Sequence, residues 1–328
     1  MRSPASLLWA TGTGCENERG DWVRQRTLAD TASCTGCGLH GGEPVRLTLR
    51  PACDDSGIVF VRTDLDPHFE IPARAASVGS TRLATTLRRG DVSIGTVEHL
   101  MAALFGLEIH NVRVEIDGPE LPVMDGSAAP FVYLIRSVGI SQQREPRREL
   151  RFRRRIEIRD DGCIISIDPS PRFRVSYVVE FEHPAIRRQA LSIDSLDPEC
   201  FEREIAAART FGFLHEVAEL RRAGLARGGS LENTVVLNDE RVLNPEGLRW
   251  PDEFVRHKVL DLCGDLALLG APIVGHVRVE RGGHALHQKL VSAILSSPDT
   301  WCSDQPARSL AGSSGLENLD QRPGTPPS

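Results

Sequence analysis

The sequence predicts an α+β fold built from two similar halves, each with its strands grouped ahead of its helices. Three observations predict it: period-two alternation early in each half, helix-period apolar stretches after it, and a charged, Pro-containing segment between the halves. In the first half Val45, Leu47 and Leu49 alternate with polar residues, as a half-buried strand requires. Residues 95–107 then read as a helix and 111–116 alternate again, while Asp125-Gly126-Ser127 is placed to cap a helix over 128–138. In the second half residues 152–158 and 163–167 alternate around the turn Asp160-Asp161-Gly162, and 173–181 continues the sheet. Helices are expected over 198–208, 215–223 and 251–269. The resulting division is a flexible extension at 1–24, a first domain at 25–143, a linker at 144–149, a second domain at 150–295 and a disordered tail at 296–328.

Composition narrows the function classes. A formal net charge of -6 disfavours a nucleic-acid binder, which usually carries a positive surplus, but leaves room for an anionic small molecule. No apolar run approaches the ~18 residues needed to span a bilayer. The segment Leu7, Leu8, Trp9 and Ala10 is too short for the core of a secretory signal, so the expected location is cytoplasmic. The 8 cysteines are scattered without the density of a disulfide scaffold. Cys34-Thr35-Gly36-Cys37 is a lone pair with no second pair at a metal-binding distance, and reads as ordinary thiols. The run of arginines between Arg144 and Arg159 reads as a solvated strand face, with contact to an anionic membrane surface left open.

Three segments could carry chemistry. Glu98-His99 sets a carboxylate beside an imidazole at a helix start, His257-Lys258-Val259-Leu260-Asp261 continues to Asp265, and Gly282-Gly283-His284 puts an imidazole in a glycine turn. Positions 257, 261 and 265 share one helix face, with Val255, Val259, Leu262, Cys263 and Leu266 on roughly the opposite one. A His and an Asp one turn apart can converge on one metal ion, and a third ligand from elsewhere would leave a position open, as in catalytic zinc sites. Spacing alone leaves coincidence open, because 10 histidines and 45 acids give roughly one chance match to such a pattern. His215-Glu216-Val217-Ala218-Glu219 mimics a zinc-protease helix, but Glu219 stands where the second histidine is needed. It reads as an exposed helix start.

At these same residues the sequence resembles the UDP-3-O-acyl-N-acetylglucosamine deacetylases. The motifs are GLHGGEPV (38–45), TVEHLMAAL (96–104), DGPELPVMDGSAAPFV (117–132), FEHPAI (181–186), RTFGF (209–213), LENTVVL (231–237), EFVRHKVLDLCGDL (253–266) and GGHALHQKL (282–290). They run in order from residue 25 to 295, about four-fifths of the chain. The resemblance implies a two-domain α+β sandwich, with layers of sheet and helix and the active site at the domain interface. It implies zinc-dependent removal of acetate from an acylated UDP-sugar, the committed step of lipid A assembly. It assigns Zn2+ to His99, His257 and Asp261, the base to Glu98 and the acid to His284, with Asp265 orienting that imidazole. His287, close by, is the one alternative for the acid, and the GGH context favours His284. Thr210 would hold the oxyanion, with Phe211 beside it, and Lys258 would contact the sugar-nucleotide. An insert near 213–237, beginning with Phe213 and Leu214, would form a passage for the acyl chain. The expected partner is the acylated UDP-sugar alone, with no nucleic acid, and the expected state a monomer. A non-catalytic sugar-nucleotide or acyl-chain binding module on the same scaffold is the alternative; the intact set of five site residues argues against it.

Overall fold

The computed structural model describes residues 23–65 and 69–304. Its helices are α1 (Glu98–Gly106), α2 (Ala129–Val138), α3 (Pro198–Glu204), α4 (Leu214–Arg222), α5 (Glu253–Leu266) and α6 (His284–Ser296). Each half builds the same five-stranded sheet. In the first the spatial order is Ala32–Cys37, Pro44–Pro51, Val112–Ile116, Ile58–Arg62, Glu70–Pro72. In the second it is Ile156–Asp160, Cys163–Asp168, His276–Glu280, Arg174–Phe181, Arg187–Ile193. Both times the strand that is last of the five in sequence enters between two hairpins, antiparallel to one neighbour and parallel to the other. A parallel pairing needs a long crossover, and the crossover carries α1 in the first half and α5 in the second. The halves are therefore a structural repeat, in which α1 corresponds to α5 and α2 to α6.

The repeat places the site. Helices α1 and α5 pack on one another, α2 lies on the first sheet, and α5 and α6 lie on the second, giving a layered sandwich. Val45, Leu47 and Leu49 are buried, as their alternation predicts. Helix α5 is buried on both faces, its apolar side in the core and its polar side against α1. Gly264 permits the close crossing, because a Cβ there would lie 2.2 Å from the Glu98 carbonyl oxygen.

Several expected boundaries move. The helix expected from residue 95 begins at Glu98, since Thr96 adopts a left-handed φ of 56° that no helix continues through. Of the triplet placed to cap α2, Ser127 Oγ accepts from the Ala129 N–H at 3.2 Å, while the Asp125 carboxylate accepts from the Ser127 N–H and hydroxyl in a turn ahead of the helix. The alternation over 152–158 is broken, with strands Glu149–Phe152 and Ile156–Asp160 separated by arginines. The charged stretch read as a link is largely strand: Ile140–Pro146 pairs with Arg24–Leu28, and Glu149–Phe152 follows at once. The tail expected from residue 296 is ordered as far as 304. Trp301–Asp304 pairs antiparallel with Glu149–Phe152, and the buried Trp301 indole donates to the Ile294 carbonyl at 2.9 Å. The remaining parts of the expected extension and tail lie outside the described residues. The glycine turn before His284 opens directly into α6, a helix that reading missed.

Candidate active site and metal centre

Three elements that are distant in sequence bring their polar residues together where the two halves meet. Helix α1 supplies Glu98 and His99 from its first turn, α5 supplies His257, Lys258, Asp261 and Asp265, and α6 supplies His284 and His287. A cavity of about 530 Å³ opens over them, lined by Glu98, His99, Thr210, Phe211, Phe213, His257, Lys258, Asp261 and His284. Leu214 is not among the lining residues; it starts α4 and is 48% exposed. His215 is also exposed, as expected of the rejected decoy.

The donor set fits a divalent metal. Asp261 Oδ1 is buried and accepts no hydrogen bond, yet stands 3.3 Å from His257 Nε2 and 3.9 Å from His99 Nε2. Three donors from two imidazoles and one carboxylate, all nine-tenths buried, lie within 4.8 Å of one another. An orphaned buried carboxylate oxygen is costly unless a cation completes it. His257 Nδ1 donates to the Ala208 carbonyl at 3.0 Å, which fixes the tautomer with Nε2 free to ligate. Burial, with His257 close by, pulls His99 down to about 3, so its ring is neutral as a ligand must be. Burial lowers His257 in the same way. Burial opposes the Asp261 charge, but His257, Lys258 and the other imidazoles outweigh it and hold the carboxyl well below its usual range.

Beside this cluster sits an acid–base pair. Glu98 Oε1 lies 3.8 Å from His284 Nε2, and its Oε2 accepts the Thr85 N–H at 3.0 Å. Burial is the main reason the Glu98 carboxyl rises to about 7, with His284 working the other way. His284 Nδ1 donates to Asp265 Oδ2 at 2.7 Å, leaving Nε2 toward the cavity. Burial alone would lower His284, but Asp265, Asp261 and Glu98 outweigh it and hold the ring cationic, at about 10. Asp265 is pinned on every side: Thr85 Oγ1 donates to Oδ1 at 2.6 Å and His287 Nδ1 to Oδ2 at 2.8 Å. Despite its burial, His284 and those hydrogen bonds keep Asp265 at about 2. His287 is fully buried, turns its other nitrogen to the Tyr177 hydroxyl at 3.1 Å, and does not line the cavity.

Other supports carry no signal in the spacing. Thr85 touches both the base and the acid's carboxylate, but stands ahead of Glu98 by the hairpin of Thr86–Arg89 and Val92–Ile94. Glu120 accepts from the His40 and Gly41 N–H groups and the Thr96 hydroxyl, fastening the approach to α1. Arg209, 3% exposed, clamps Glu253 at the head of α5 (Nε to Oε1, 2.9 Å) between Ala208, which fixes His257, and Thr210, which faces the cavity. Lys258 Nζ lies 2.9 Å from Asp261 Oδ2 and over the Phe211 ring.

A family model for UDP-3-O-acyl N-acetylglycosamine deacetylase matches residues 25–296. The chain belongs to this family. Among its relatives, the UDP-3-O-acyl-N-acetylglucosamine deacetylase of Myxococcus xanthus (strain DK1622) is 53% identical over 277 residues, 84% of this chain and 88% of its own. The deacetylases of Anaeromyxobacter sp. (strain Fw109-5) and Hahella chejuensis (strain KCTC 2396) are 51% and 47% identical over 274 and 280 residues, which are 84% and 85% of this chain and 89% and 93% of theirs. The family resemblance read from the motifs and the α+β fold are thus shown. No helix among the described residues is long and apolar enough to cross a membrane.

Proposed function

We propose that the chain is a zinc-dependent hydrolase that removes acetate from UDP-3-O-acyl-N-acetylglucosamine, leaving the free amine, at the committed step of lipid A synthesis. The observation that carries the mechanism is the neutral His99, His257 and anionic Asp261 cluster set directly against the oppositely charged pair Glu98 and His284. When bound by the three ligands, zinc supplies a Lewis acid that makes water a nucleophile near neutral pH and polarises the amide carbonyl.

The chain's own residues supply the rest. Glu98, raised by burial to about 7, takes the proton from the attacking water. Thr210 donates to the oxygen on which charge develops. An amine is a poor leaving group until protonated, and His284 Nε2, cationic on the Asp265 carboxylate, faces the cavity to donate that proton. Lys258 binds the polar sugar-nucleotide portion, and Phe211 and Phe213 line the route for the acyl chain. The domain division at residues 144–149, the insert near 213–237, a monomeric state, peripheral membrane contact and a cytoplasmic setting belong to the same reading. The test is direct: metal-quantified protein is incubated with the acylated UDP-sugar and assayed for free amine and acetate. Turnover that Glu98→Ala abolishes without loss of metal supports the reading. Metal binding with no acetate release would favour a sugar-nucleotide or acyl-chain binding module.

A further inference from the structure

A second cavity, of about 380 Å³, lies at the seam of the two halves, at the end of α1 away from the site. Glu98 and His99 open α1, whereas Phe105 and Gly106 at its C-terminus line this second space; Gly270, just past the turn that ends α5, lines it too. From Glu98 to Gly106 the nine residues of α1 span roughly 12 Å along its axis. The walls come from both halves: Ile58, Phe105 and Ile109 from the first, Phe173, Leu196 and Ile273 from the second. Phe105 and Phe173 meet edge to face across the seam at 5.3 Å.

Charged residues of both signs also line this space (Arg147, Arg172, Glu108, Glu149 and Asp197 among them), and the one set apart is Arg74. Its guanidinium is seated between two glycines with left-handed backbones, Gly57 (φ 69°) and Gly270 (φ 75°). A Cβ at Gly270 would lie 2.2 Å from Nη1, and one at Gly57 would lie 2.7 Å from Nη2, so a side chain at either position would push the guanidinium from its seat. Among the described residues Arg74 has no carboxylate partner, and its hydrogen bond goes to the neighbouring Ala73 carbonyl at a long 3.3 Å. Burial pulls its pKa below the usual arginine range, with no acid acting to restore it. Arg147, on the same lining, differs: it pairs with both Glu108 and Glu149. The carbonyl ends of α1 and α5 favour a cation here, yet they leave most of the five guanidinium donors unused. A half-buried guanidinium without a carboxylate partner, at the wall of a cavity that is apolar in part, is a seat for an anion brought from outside.

We propose that the seam cavity binds an organic carboxylate, its head group on Arg74 and its apolar body against Phe105, Ile109, Phe173 and Leu196. An organic carboxylate fits better than inorganic phosphate, because Phe105, Ile109, Phe173 and Leu196 give an apolar body a wall that phosphate would leave uncovered. The volume falls in the small-ligand range, and seams between domains are where such sites concentrate.

The probe is octanoate, with octanol and inorganic phosphate as comparisons, titrated calorimetrically into the full-length, metal-loaded protein. Crystals soaked in 8-bromooctanoate locate the bromine by its anomalous signal, which separates this cavity from the active site. The proposal expects bromine among Phe105, Ile109 and Phe173, and binding at that site at least tenfold weaker in Arg74→Met, a variant whose folding is checked by its melting curve. Should Arg74→Met not fold, the bromine position in the wild-type protein decides alone. Bromine found in the active-site cavity only, an empty seam, octanol or phosphate binding there as tightly as octanoate, or a folded Arg74→Met that binds unchanged, would each overturn it.

Discussion

Replacing Asp265 by Asn tests the acid half of the mechanism through a group that touches no substrate. The carboxylate accepts from His284 at 2.7 Å, from His287 at 2.8 Å and from Thr85 at 2.6 Å, and it is fully buried. The amide keeps the shape but removes the charge and at least one acceptor position. A carboxylate in contact with an imidazolium raises its pKa by about 1–3 units. The alkaline limb of kcat/KM, set by His284 at or below about 10 because a neighbouring divalent cation lowers it, should therefore move down by a similar amount, or about 1.4–4 kcal/mol at 1.36 kcal/mol per unit. At neutral pH the lost charge-assisted bond, worth about 1.5–3 kcal/mol, should slow turnover by roughly 10- to 150-fold. The assay is acetate release across pH 6 to 11, on wild type and variant carrying equal metal, so that the ion's own charge cancels in the difference. An alkaline limb that stays in place would show that His284 is not the group titrating there, and would refute the reasoning.

Further expectations follow from single contacts. Glu98→Gln should lose about 10²–10⁴-fold in kcat, with metal content by mass spectrometry unchanged; normal turnover would remove Glu98 as base. The acid limb of the wild-type profile should fall at or below about 7, because burial raises Glu98 and a neighbouring divalent cation lowers it again; a limb well above 7 would contradict this. Thr210→Val should lower kcat by about 10²-fold with little change in KM, and an effect on KM alone would make Thr210 a ground-state contact. Gly264→Ala drives a methyl group toward the Glu98 carbonyl oxygen at 2.2 Å, so it should cost about 1–3 kcal/mol by thermal melting and weaken metal binding as α1 and α5 separate. A stable variant with unaltered metal affinity would show that the crossing is not tight.

Much of this site was legible because its residues obey helix arithmetic. His257, Asp261 and Asp265 share one face of α5, and that face does meet α1, with the apolar side in the core. What spacing could not supply was the partner: nothing local joins His99 to His257 across the chain, and the motif resemblance made that link. The repeat of two sheets was suggested by strands preceding helices in each half, but strand order depends on pairings between residues as distant as Leu47 and Ile116. His284 and His287, three apart, could have signalled a helical face; the preceding glycines hid the start of α6. Thr85 and Arg209 had no periodic signature, because they act from irregular segments through single hydrogen bonds. Leu214 shows the limit of an apolar residue beside a motif: it follows Phe213, which lines the cavity, and turns outward.

The central claim is that one ion is held by two imidazoles and a carboxylate drawn from corresponding helices of the two halves. A zinc-edge anomalous map of the zinc-loaded protein tests it most directly, since a second buried group, Asp265, His284 and His287, offers the ion an alternative. The account predicts a single peak coordinated by His99, His257 and Asp261. A peak on the Asp265 cluster instead, or no ordered zinc between α1 and α5, would contradict it.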